Sequence, residues 1–158
     1  MTNEKKLELT LCGMFSYKLK IECDNTIWTL DKLDRPYKTN DKLFLNIGCR
    51  YDEKGFPLTQ KSFISGKYEF KPLLHSLHKL TENILDEEND YFYQLNCDLC
   101  EILEINSCEY FVKSLISDSK YVISTRKMIE ALEWLKEHHF NIYNLPSEMY
   151  IEKSTVKI

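Results

Sequence analysis

Apolar residues recur along this chain with two periods, and the sharpest pattern runs from Ser124 to Leu145. At about 100° per residue, Met128, Leu132, Leu135 and His139 fall on one side, with Ile129, Ala131 and Trp134 at its flanks. Arg126, Glu130, Glu133 and Glu137 share the other side. Ser124 or Thr125 can accept a backbone N–H that the first turn leaves open, so the spacing predicts a capped amphipathic helix of roughly four turns. Phe140, Ile142 and Leu145 then alternate up to Pro146, which predicts a late strand over 140–145.

The first half has a different texture. All four glycines (Gly13, Gly48, Gly55, Gly66) and three of the four prolines (Pro36, Pro57, Pro72) lie within 72 residues, so turns concentrate there and strands are expected between them. Leu7, Leu9 and Leu11 alternate with polar residues, as do Tyr17, Leu19 and Ile21, and Gly13 separates the two runs. That pattern predicts a hairpin. Ile27, Trp28 and Leu30 predict a third strand, and Leu43, Phe44, Leu45 and Ile47 a fourth, after a turn at Asp34 to Tyr37 and a polar stretch at Thr39 to Asp41. Arg50 to Gly66 reads as loop with a short strand around Phe63.

At Pro72 the period lengthens. Pro suits a first helical turn, and Leu73, Leu77, Leu80 and Ile84 recur on one face, predicting a helix from Pro72 to about Leu85. Asp86 to Asp90 interrupts the apolar pattern and offers a cap for a helix over 91–105, with Phe92, Leu95, Leu99, Ile102 and Leu103 inward. Leu95, Cys97 and Leu99 also alternate, so a strand competes there. Tyr110 to Ile116 predicts a further short helix, and the weak alternation from Met149 to Ile158 an edge strand. The expected fold is α+β: one domain over 1–158, with an N-terminal antiparallel sheet, about four helices on one face of it and a late C-terminal strand returning to it.

Length and composition agree with an ordered chain. Its 158 residues are the size of one domain, and 43% are hydrophobic and 13% aromatic, too rich in core material for disorder. The segment after Met1 alternates and holds neither a signal-peptide core nor a spanning run, which gives an expectation of a cytoplasmic protein with no membrane contact. In that compartment Cys12, Cys23, Cys49, Cys97, Cys100 and Cys108 are expected as thiols, although six could form three bridges.

Charge changes the picture more. Residues 1–80 carry 14 basic and 10 acidic side chains, and residues 81–158 carry 7 and 15, giving +4 and −8 within an overall −4. No Lys or Arg occurs from 81 to 112, a segment that holds Glu82, Asp86, Glu87, Glu88, Asp90, Asp98, Glu101, Glu104 and Glu109. In a helix, Asp90, Asp98, Glu101 and Glu104 project away from Phe92, Leu99 and Leu103. Such a surface repels a phosphate backbone and attracts a basic protein, one that would otherwise hold nucleic acid included. Solvation alone also accounts for an acidic helix face.

Candidates for chemistry are sparse. His75, His78 and Glu82 stand at i, i+3 and i+7 on the polar side of the expected Pro72 helix and could bind a metal or move a proton in a small hydrolase or nucleotide-processing enzyme. Cys97-Asp98-Leu99-Cys100 has zinc-knuckle spacing, but only Cys108 lies nearby, no Gly or Pro shapes a knuckle, and Leu99 fits a helix stripe. His138 and His139 are best placed to cap the end of the helix from Ser124. Lys18, Lys20, Lys32, Arg35, Lys38 and Lys42, interleaved with Tyr17 and Tyr37, could contact nucleic acid, but Glu22, Asp24, Asp31, Asp34 and Asp41 dilute that patch. No phosphate-binding glycine loop or nucleophile elbow occurs. The expectation is a non-enzymatic protein without cofactor or metal.

Two stretches carry a resemblance: Phe70 to Ile84, whose Pro72, Leu73, Leu77, Leu80, Thr81 and Ile84 are similar to a Pro-Leu-x-x-Leu-x-x-Leu-Thr-x-x-Ile helix, with His78 at a position more often small or polar, and Leu132 to Leu145, with Trp134, His139, Phe140, Asn141, Ile142 and Tyr143. Together they resemble small accessory proteins carried by phages and mobile elements of gut-type bacteria. The resemblance implies a genomic context in which many proteins bind and block host factors, and it carries over no catalytic residue. The functional expectation is therefore an accessory protein whose acidic face inhibits a basic host protein, for example a defence-system nuclease.

Overall fold

The computed structural model describes residues 1–23, 25–33, 37–39, 42–51, 59–64, 70–81, 84–86, 97–117, 119–153 and 155–157. The chain is α+β, with strands through its first half and further strands at its C-terminal end. In order come α1 (Asn3–Met14), β1 (Lys20–Cys23), β2 (Thr26–Leu33), β3 (Tyr37–Thr39), β4 (Lys42–Tyr51), β5 (Thr59–Ile64) and β6 (Phe70–Leu74). A 3-10 turn (Leu77–Thr81), β7 (Ile84–Asp86), α2 (Cys97–Leu103), α3 (Glu109–Ser117), α4 (Thr125–Glu137), β8 (Ile151–Glu152) and β9 (Thr155–Lys157) follow. Two compact units form, one from Met1–Leu74 and Leu145–Ile151, the other from His75–Asn144 and Glu152–Ile158.

The first unit is built on a sheet of order β3-β4-β2-β1-β6-β8, with β5 paired to β4. β1 is antiparallel to both β2 and β6, and β4 is antiparallel to β2, β3 and β5. The expected strands at Ile27 to Leu30, Leu43 to Ile47 and Phe63 are all present. β3 falls where a turn and a polar stretch were expected.

The first half of the expected hairpin is instead a helix. Leu7, Leu9 and Leu11 alternate, but Leu7, Leu11 and Met14 also recur at i, i+4 and i+7, and the helical period wins. The Thr2 hydroxyl accepts from Lys5 N at 3.2 Å, Glu4 sits in the first turn, and Thr10, Leu11 and Met14 are buried. Gly13 therefore lies inside α1 rather than in a turn.

The expected Pro72 helix is also overturned. Pro72 and Leu74 are buried while Lys71 and Leu73 are half-buried, the alternation of a strand, and Pro72 stands opposite Ile21 of β1. Leu77 and Leu80 are buried from the 3-10 turn, in which residues three apart eclipse one another. A strand end followed by a 3-10 turn thus places its leucines at the spacing of one helix.

The second unit gathers Leu77, Leu80, Leu99, Leu103, Cys108, Phe111, Val112, Ala131, Trp134, Leu135 and Phe140 into one core. α4 keeps its expected limits, and Ser124 Oγ accepts from Lys127 N at 3.3 Å. Its buried face is turned from the expected one: Ala131, Trp134 and Leu135 are buried, Met128 and Leu132 flank them, and Ile129 is 57% exposed. Residues 140–145 do not form a strand. Phe140 makes a single parallel bridge to His75, and Asn141 donates to the His75 carbonyl at 2.9 Å. The tail strand is present, as β9 antiparallel to β7 and as β8.

Candidate functional site

The expected acidic surface draws its described residues from α2, the turn after it and α3. α2 ends on Glu104, whose φ of 54° is left-handed. Glu104 N donates to Glu101 O at 3.1 Å and Ile105 N to Cys100 O at 3.0 Å, closing the last carbonyls in the pair of bonds that a left-handed exit residue allows. Three residues later Cys108 opens α3, its carbonyl accepting from Val112 N at 2.8 Å. Leu99 and Leu103 are buried, so the helical period sends Asp98, Glu101 and Glu104 outward, and all three are exposed, as is Glu109.

Glu104 and Glu109 each meet a lysine. Lys127 Nζ lies 2.6 Å from Glu104, which is 74% exposed, and Lys113 Nζ lies 2.9 Å from Glu109 one helical turn away. The hydrogen bond and charge of each lysine hold the partner carboxyl below its usual range. Glu109 in return holds the Lys113 ammonium above its usual range. The Glu109–Lys113 pair has the favourable i, i+4 order and is visible in the sequence, whereas Lys127 is brought to Glu104 across 23 residues by the fold alone. Of the remaining expected docking residues, Asp86 lies in β7, and Glu82, Glu87, Glu88 and Asp90 lie outside the described residues, as do 91–96 of the expected helix over 91–105.

The histidines do not share a helix face. His75 is buried at the end of β6, its N–H donating to His139 O at 2.8 Å and its ring 5.2 Å from that of Phe140. His78 is exposed on the 3-10 turn. Among the described residues, no three His, Cys, Asp or Glu side chains are grouped to hold a metal ion.

His138 closes α4 as expected, its ring stacked 4.1 Å from that of Trp134 and Nδ1 2.9 Å from the Trp134 carbonyl. His139 takes the left-handed exit position, at φ 57°.

The cysteine pattern reads differently in space. Cys12, Cys97, Cys100 and Cys108 are in the thiol form, and α2 carries Cys97 and Cys100 as one turn of helix, not as a knuckle. Cys100 Sγ and Cys108 Sγ stand 3.2 Å apart. Burial pushes the Cys108 thiol well up, and the neighbouring Cys100 and Cys97 add to it.

No family model, curated protein or solved structure matches this chain. Among the described residues, no helix is long and apolar enough to cross a membrane.

Proposed function

We propose that this chain is a non-enzymatic interaction protein, an accessory protein of phage or mobile-element origin. It acts in the cytoplasm of a host cell, where its acidic stretch from Glu82 to Glu109 docks on a basic host protein such as a defence-system nuclease and blocks it. The observation that carries the reading is that Asp98, Glu101, Glu104 and Glu109 are all exposed, within a segment where no Lys or Arg occurs from 81 to 112. A surface of one sign selects the sign of its partner and speeds the encounter, and a protein that normally grips phosphates offers the complementary charge. Occupying that charge competes with nucleic acid directly.

Capture from host lysate at low salt, with and without nuclease treatment, provides the test when followed by the triple reversal Asp98→Lys, Glu101→Lys, Glu104→Lys. The expected result is a discrete basic protein that survives nuclease, leaves between about 0.1 and 0.5 M salt as screening grows, and is no longer retained by the variant. Unchanged retention and unchanged salt dependence in the triple variant would overturn the proposal.

A further inference from the structure

We propose that Cys100 and Cys108 form a redox-active dithiol, which a hydroperoxide converts to an intramolecular disulfide joining the end of α2 to the start of α3. The pairing is a product of the fold: eight residues separate the two cysteines, and the left-handed turn at Glu104 folds the chain back so that the sulfurs meet at 3.2 Å. A disulfide bond is about 2.05 Å long, so roughly 1 Å of approach, within the reach of side-chain rotation, completes it. Cys100 is half-buried and Cys108 is buried, which divides the roles. The more accessible Cys100 attacks as thiolate, forming an S–O bond while the peroxide O–O bond breaks and hydroxide departs. Cys108 then gives its proton to that hydroxide, making the first water, and its sulfur displaces hydroxide from Cys100 to form the S–S bond; the proton that Cys100 released on ionising converts this hydroxide into the second water. Two thiols lose two electrons and two protons, and the peroxide is reduced to two waters. Burial raises the Cys108 pKa and keeps that thiol protonated, which leaves the opening attack to Cys100.

Oxidation of the full chain with hydrogen peroxide tests the assignment, with free thiols alkylated in denaturant and the protein digested without reductant. A Glu-specific protease is required, because residues 81–112 offer trypsin no site while Glu101 and Glu104 lie between the two cysteines. The expected product is a linked pair of peptides carrying Cys100 and Cys108, formed in at least half of the chains, reversed by dithiothreitol and retained in Cys97→Ser, whose serine replaces an exposed residue. Equal alkylation of Cys100 and Cys108 before and after peroxide would overturn the proposal. Loss of the linked product in a folded Cys97→Ser protein would do the same, by assigning the bridge to Cys97.

Discussion

Glu104 serves the turn and the surface at once. Its backbone occupies the left-handed position that ends α2, and its carboxylate receives Lys127 at 2.6 Å. Because the lysine favours the charged form, the Glu104 carboxyl titrates below the ordinary glutamate range, and Lys127→Ala should return it there in a carbon-detected NMR titration. The linkage has a definite sign: a carboxyl depressed in the folded state contributes above its unfolded pKa and loses that contribution as pH falls through the folded value. The pair stands in solvent, so the acid limb of the stability curve should move little in Lys127→Ala even where the titration moves clearly. His139 occupies the same left-handed position at the end of α4, and there the backbone decides. A β-branched residue fits that region poorly, so in urea unfolding His139→Val should be less stable than His139→Gly by about 1–2 kcal/mol. Equal midpoints for the two variants would show that the exit is not under this constraint.

Among the elements, α4 stands most on local signals. Ser124→Ala removes the acceptor for Lys127 N and should cost about 1 kcal/mol in denaturant unfolding, and a loss under a few tenths would mean the cap is idle. The limits of α4 were legible because cap, period and exit agree, and its face was not. Ile129 sits on the apolar flank in sequence, but the core is filled by Ala131, Trp134 and Leu135, so the helix turns toward its largest contact. Elsewhere two periods fitted the same residues. Leu7 and Leu11 belong equally to an alternation and to a helical repeat, and Met14 with the Thr2 cap decides for helix. At Pro72 the ambiguity ran the other way, since a strand end and a 3-10 turn together imitate a helical stripe. His75 looked like one member of a metal set with His78 and Glu82 for that reason alone. Its burial beside Phe140 comes from a bridge between segments more than sixty residues apart, which no local pattern encodes. The cysteine pair was half legible: the Cys97 and Cys100 spacing and the nearness of Cys108 are in the sequence, but the left-handed turn that joins the sulfurs is at a glutamate, where no glycine marks it.

Across the whole molecule the sequence supplies a charge and the fold edits it. Nine carboxylates without a Lys or Arg between them set the sign, and Lys113 and Lys127 then neutralise two of the four described as exposed. If docking on a basic partner is electrostatic, these lysines oppose it, which yields a prediction of unusual sign. The double variant Lys113→Ala, Lys127→Ala should raise the association rate of a basic partner at low salt, by about 2- to 10-fold, by exposing Glu109 and Glu104. Asp98→Lys with Glu101→Lys should lower it by a similar factor. Both effects should shrink together as salt approaches about 1 M, where the screening length falls to roughly 3 Å. Stopped-flow association measured across a salt series separates this from damage to the fold, because damage slows binding in both variants and does not fade with salt. Rates that move in the same direction in the two variants would end the electrostatic account. Rates that move apart and converge at high salt would place the recognition in the field of the acidic segment rather than in any single contact.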